Sequence, residues 1–284
     1  MHASTHTRAT DSDVYYVPPP SIWPLVGSVA LLTLASGFAL LLGKMAAGPY
    51  VMAAGAAILL VMLFGWFGNV ISESLAGKYS RQVDASFRWG MVWFIFSEVL
   101  FFAGFFGALF YARNIALPML ADAQLLWPGF TAAWPSAGPA AANSVITPVN
   151  AWGIPALNTL ILLSSGATVT WAHWGLQKGK QLQLKLGLAL TVLLGVVFIA
   201  LQIHEYAEAA FSIRDGIYGA TFYMLTGFHG FHVMLGTVML FIIFLRSLAG
   251  HFTPGRHFAF EAVAWYWHFV DVIWLLLFVF VYWL

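Results

Sequence analysis

Seven stretches of this 284-residue chain, at about residues 21–43, 49–71, 89–112, 155–175, 186–206, 218–245 and 258–284, are long and almost free of charge. At 1.5 Å per residue each can cross about 30 Å of hydrocarbon as a helix. Apolar residues surround every face of these stretches, and the alternation of a barrel strand is absent, so in lipid the backbone must satisfy itself as helix. The expected fold is an all-α polytopic membrane protein with seven transmembrane helices. Charge agrees: only 8% of residues are Asp, Glu, Lys or Arg, against about a quarter in soluble domains. A net charge of +1 leaves no basic surplus for a nucleic-acid partner. With no cysteine, disulfides, thiolate-held iron-sulfur clusters and blue-copper sites are excluded, while histidine and carboxylate metal sites stay open.

Residues 1–20 carry His2, His6, Arg8, Asp11 and Asp13 before Pro18, Pro19 and Pro20, a polar tail that ends in an extended stretch. The first apolar run starts only near Ser21, so it is read as a true span and not as a cleavable signal peptide. The segment from Asn114 to Ile154, with Trp127-Pro128, Trp134-Pro135, Pro139 and Pro148, is read as a long extramembrane loop. With seven spans, Arg8, Lys78, Arg81, Arg88, Lys178, Lys180, Lys185, Arg246 and Arg256 fall on one side, and Lys44, Arg113 and Arg214 on the other. Positive residues favour the cytoplasmic side, which places the N-terminus there and the C-terminus outside.

Ionisable residues within spans are costly and mark function by default. Glu98 lies ten residues beyond Arg88, or about 15 Å into the membrane, where loss of water favours the neutral acid. It reads either as a hydrogen-bonded acid that ties two helices or as a proton-handling group. His229 and His232 are three residues apart on the sixth span, as are His268 and Asp271 on the seventh, so each pair shares a helix face. Interhelical hydrogen bonds and a haem or non-haem metal site are the two readings of these four, and one cluster joining Glu98, His232 and His268 is geometrically possible. His204, Glu205 and Glu208 read as a solvated helix end, and Glu261 as an acid at a helix N-terminus. Gly104, Gly107, Gly227, Gly230 and Gly236 would permit close helix approach. The aromatic residues of the last span read mostly as interface anchors and packing.

Several segments go further than residue chemistry: Ser97-Glu98-Val99-Leu100-Phe101-Phe102, Leu157-Asn158-Thr159, Thr170-Trp171-Ala172-His173, Tyr218-Gly219-Ala220-Thr221-Phe222, Thr226-Gly227-Phe228-His229-Gly230-Phe231-His232-Val233, Phe260-Glu261-Ala262 and Ala264-Trp265-Tyr266-Trp267-His268-Phe269-Val270-Asp271-Val272. From Phe87 onward the chain closely resembles subunit III of cytochrome c oxidase. The resemblance implies helices 1–2 (residues 21–71) splayed from a five-helix bundle (89–284), with a cleft that holds phospholipid. It implies no metal, haem or copper in this subunit, those belonging to partner subunits I and II, with subunit I the main contact. It also implies that Trp66, Phe94 and Arg246 bind lipid, and that Glu98 bears on proton uptake without being an obligatory pump element. The tail and the 114–154 loop depart from mitochondrial members and point to a bacterial plasma membrane. The competing readings are the homologous subunit of a quinol oxidase or nitric oxide reductase, and a free-standing transporter. Quinol-oxidase relatives generally lack the first two helices, and a transporter should show repeats or broken helices.

Overall fold

The computed structural model describes residues 15–141 and 146–284, so residues 1–14 of the expected tail, Arg8 included, lie outside the described residues. Among the described residues, seven helices are long and apolar enough to cross a membrane: α1 (Trp23–Leu42), α2 (Gly48–Leu75), α3 (Arg81–Asp122), α4 (Ile154–Gln177), α5 (Gln181–Glu208), α6 (Gly216–Leu248) and α7 (Phe258–Trp283). Among the described residues there is no named strand. Proline stands in the first turn of α1, α2 and α4, where its missing N–H costs nothing because that N–H would have no helical partner.

The helix ends carry a signal that hydrophobicity alone does not show. After α2, α4 and α6 the chain turns through Gly77, Gly179 and Gly250, each at positive φ. The next residues, Lys78, Lys180 and His251, donate their backbone N–H to Glu73, Gly175 and Arg246. This glycine closure satisfies the last carbonyls, and it sets a basic residue type beside the negative end of each helix dipole.

One expectation is corrected. The segment after Asn114 is not loop from its start, because α3 continues to Asp122. Arg113, just past the expected span, and Asn114, the expected start of the loop, lie in a widened turn at Ala112–Ala116, and Pro118 then sits in the first turn of the Leu117–Asp122 segment. Widening the helix just before a proline relieves the clash that its ring would make one turn back. Arg113 remains at helical depth with its guanidinium 5.8 Å from the centre of the Trp134 ring. From Ala123 the described chain has no long helix until Ile154.

Contacts divide the chain into two compact units, the first ending at Phe87 and the second running from Arg88 to Leu284. In the first unit, α1 and α2 form a hairpin. Its turn places Lys44 at φ 57°, with Lys44 and Met45 N–H bonded to Leu41 and Leu40. The glycines let the helices touch along their length: a Cβ at Gly37 would meet Met52 N at 2.5 Å, and one at Gly55 would meet Leu34 N at 2.7 Å.

In the second unit, α4 to α7 build the core. Trp267 is fully buried in the space left by Gly195 of α5 and Gly236 of α6, and its indole N–H donates to Ser165 Oγ of α4 at 2.8 Å. One side chain of α7 thus touches three other helices. Trp274 repeats the pattern, donating to Thr159 Oγ1 at 2.9 Å. Trp267, Trp274, Tyr266 and Tyr282 are therefore core residues, while Trp283 is exposed. Of the five glycines expected to admit a close helix, Gly236 does so; a Cβ at Gly104, Gly107 or Gly230 would meet nothing within 4 Å, and one at Gly227 would meet only Tyr206 Oη at 3.9 Å.

Candidate functional site: a carboxyl group among aromatic rings

Helix α3 reaches the bundle through long side chains. Phe102, 1% exposed, packs its ring against Phe269 and His232; Phe101 packs on Phe228 and His232; Phe94 stacks on Tyr266. Within this aromatic surround, Glu98 Oε2 lies 2.9 Å from His232 Nε2, and the Glu98 side chain is 22% exposed.

The second ring nitrogen fixes the proton count. His232 Nδ1 is 2.6 Å from the Phe228 carbonyl oxygen, which only accepts, so Nδ1 must carry a hydrogen. A 2.9 Å bond between Nε2 and Oε2 then requires one further proton between them. That proton sits either on Glu98, giving a neutral pair, or on His232, giving an ion pair, and both forms have zero net charge. Tyr266 Oη adds a long bond to the His232 carbonyl, at 3.5 Å.

The other intramembrane polar residues form separate groups. His229 is completely buried. Its Nε2 lies 3.2 Å from the Val270 carbonyl of α7, its ring packs on Phe198 and Trp274, and its Nδ1 has no partner. His268 Nε2 lies 3.3 Å from Thr170 Oγ1 of α4, and its Nδ1 lies 3.5 Å from Asp271 Oδ2. Asp271 fits because residue 166 is glycine: a Cβ there would lie 2.5 Å from Oδ2. The structure thus joins Glu98 to His232 but places His268 in a different group, turned to α4.

Of the three expected lipid ligands, Trp66 and Phe94 are nearly half exposed. Arg246 closes α6, with its guanidinium 4.8 Å from the centre of the Phe252 ring.

Two polar groups escaped the sequence reading. Glu205 is not solvated: it is 3% exposed, accepting from Tyr282 Oη at 2.7 Å and from Gln202 Nε2 at 3.0 Å. Its neighbours His204 and Glu208 are exposed as expected. The i, i+3 spacing of Gln202 and Glu205 was the available signal, but the tyrosine that covers the acid lies 77 residues away. Glu261, in the first turn of α7, is also more than a cap. It pairs with Arg88 and faces His257 and His173. Those three residues, His173, His257 and Glu261, are the group among the described residues whose ligand atoms could hold a metal, all lying within 4.8 Å of one another.

Comparison with known proteins agrees with this architecture along almost the whole chain. A family model described as cytochrome c oxidase subunit III matches residues 13–284, which extends the similarity back from Phe87 over α1 and α2. The chain is 42% identical over 276 residues to cytochrome c oxidase subunit 3 of Cyprinus carpio, covering 97% of this chain and 98% of that one. It is 43% identical over 270 residues to the proteins of the same name from Petromyzon marinus and Papio hamadryas, covering 95% of this chain and 96% of each relative.

Proposed function

The chain belongs to the cytochrome c oxidase subunit III family, and from that premise we propose that it is a non-catalytic core subunit of an oxidase that passes electrons from cytochrome c to O2 while pumping protons. In this reading subunits I and II carry the haem and copper, this chain carries no redox centre, and its main contact is subunit I. The observation that carries the proposal is the similarity over 97% of the chain to a protein of that name. Purification through a tag on this chain is the test: haem and copper should co-purify in fixed ratio. Recovery of the intact chain without either would overturn the reading.

Glu98 and His232 are assigned a supporting role in proton uptake. They share one proton across 2.9 Å, and moving it from one to the other leaves the net charge at zero, so the low-dielectric surround exacts no full ionic desolvation. Such a pair can pass or hold a proton near the partner without itself being the pump. His229, His268 and Asp271 are assigned to holding the bundle in register through bonds between helices. Trp66, Phe94 and Arg246 are assigned to phospholipid, aromatic faces against acyl chains and the guanidinium against a headgroup phosphate.

The N-terminus is proposed to be cytoplasmic, or on the equivalent matrix side, supported by the basic closures after α2, α4 and α6 and by the lysine and arginine distribution. Single cysteines replacing Arg81 and Arg214 should react from opposite sides of sealed vesicles; labelling from the same side would refute the topology. A bacterial plasma membrane is proposed from the tail and the 114–154 segment alone, the relatives named above being animal proteins.

A further inference from the structure

At the end of the bundle where α4 stops and α7 begins, two imidazole nitrogens and one carboxylate oxygen face one another, all within 4.8 Å. His257 Nδ1 lies 3.1 Å from the Thr253 carbonyl, which sets a ring hydrogen on Nδ1, so that in the neutral ring Nε2 presents its lone pair. That lone pair is 3.1 Å from Glu261 Oε1. His173 Nε2 lies 3.4 Å from the same oxygen and accepts from the Gln177 amide nitrogen at 3.2 Å, so its one lone pair becomes free for a cation when Gln177 turns aside. A proton between His257 Nε2 and Glu261 Oε1, or a metal cation among all three atoms, satisfies this arrangement, and only the metal draws in His173 as well.

We propose that His173, His257 and Glu261 form a binding site for a divalent cation of zinc's chemistry, which clamps the C-terminal end of α4 to the first turn of α7. Zinc bonds of about 2.0–2.2 Å to nitrogen and oxygen in a tetrahedron set neighbouring ligand atoms about 3.3–3.6 Å apart. The two distances to Glu261 Oε1, 3.1 and 3.4 Å, are within a few tenths of an ångström of that edge. Two imidazoles and one carboxylate suit zinc better than calcium or magnesium, which prefer all-oxygen shells. The general affinity order also favours zinc over iron(II) at such a site.

The surroundings match a metal site in two further respects. The Thr253 carbonyl holds His257 in the tautomer a metal needs, as outer partners of metal-bound histidines do. Arg88 holds the other carboxylate oxygen, Oε2, which orients Oε1 toward the histidines and lowers the affinity that an unpaired carboxylate would give. The His173 side chain is 24% exposed and Gln177 is exposed, so Gln177 can turn aside and water can fill the fourth position.

The test titrates Zn²⁺, against a competing chromophoric chelator, into the protein purified in detergent with the partners it retains and first stripped of metal. X-ray absorption at the zinc edge then reads the ligands. The expected result is one zinc with two imidazoles and oxygen in its shell, with the affinity falling at least about tenfold in His257→Ala and in His173→Ala. The second variant leaves the Arg88–Glu261 pair in place, so it reads the site even where His257→Ala disturbs folding. Equal zinc binding by the unaltered protein and His173→Ala, a bound zinc without imidazole, or no zinc bound by the unaltered protein would each overturn the proposal. Because the readout is zinc and not turnover, its failure leaves the oxidase assignment untouched.

Discussion

The α1–α2 hairpin and the α4–α7 bundle draw on the same apolar residues but are held together by different means. In the hairpin, backbones meet directly: Gly37 lies against Met52, Gly48 against Leu41 and Gly55 against Leu34. Its polar contacts sit at the end, where Tyr16 and Tyr79 donate to the two oxygens of Glu73 at 3.1 and 2.9 Å, and where burial and that carboxylate push the Tyr79 hydroxyl pKa up. In the bundle, side-chain hydrogen bonds join the helices at depth: Trp267 to Ser165, Trp274 to Thr159, Thr168 to Thr191 at 2.8 Å, and Tyr206 to Thr226 at 2.7 Å. Among the described residues, every buried polar side chain lies at or beyond Asn158.

The contrast follows from chain connectivity. Two helices joined by a five-residue turn are already neighbours, so close van der Waals contact at glycine suffices to fix them. Helices α4 and α7, distant in sequence, lack that tether, and lipid supplies no hydrophobic force to choose among partners, so the Trp267–Ser165 and Trp274–Thr159 bonds set their register, while the Thr168–Thr191 bond adds to glycine contacts between the tethered α4 and α5.

Five substitutions press on this comparison. The largest loss is expected for Trp267→Ala, which empties the space shared by Ser165, Gly195 and Gly236 and should cost about 3–5 kcal/mol. Denaturant unfolding in detergent measures it, and a change under about 1 kcal/mol would show that the bundle is not keyed by this residue.

Next comes Gly55→Leu, which drives a Cβ toward Leu34 backbone and should cost about 1–3 kcal/mol. Hydrogen exchange should rise along α1 and α2 and stay constant in α7; a rise confined to α7 would reverse the roles given to the two regions.

Tyr282→Phe removes the 2.7 Å bond to Glu205 and should cost about 1–3 kcal/mol, toward the lower end because Gln202 still donates. Ser28→Ala, whose exposed hydroxyl bonds only back to Pro24, should change stability by less than about 0.5 kcal/mol. Equal effects of the two in thermal unfolding would dissolve the contrast between regions.

The smallest effect is expected for Glu98→Gln, since the amide can still donate to His232 Nε2. In reconstituted vesicles the assembled oxidase should keep most of its electron transfer and most of its pumping. Full assembly with pumping abolished would make Glu98 an obligatory carrier and not a supporting one.

Much of the architecture was legible in advance because lipid permits few solutions. A run of more than 20 apolar residues must be a helix, and the seven runs anticipated the seven helices of the structure, with end errors largest in α3. There the expected span stops at 112 and the loop was expected from Asn114, whereas the helix runs on through Arg113, which lies beside Trp134. An acid ten residues into a span was expected to need a partner for the same reason, and Glu98 meets His232.

What the sequence determined by itself is therefore what depends on local chain and solvent: which segments are helical, which residues sit at depth, and, through long matching segments, the family. Only the tertiary structure decided the partners: His232 and not His268 for Glu98, Tyr282 for Glu205, Arg88 with His173 and His257 for Glu261. Helix periodicity tells which face a residue shares, but it says nothing about which distant helix meets that face. That choice depends on how whole helices pack, through side chains as far apart in sequence as Arg88 and Glu261.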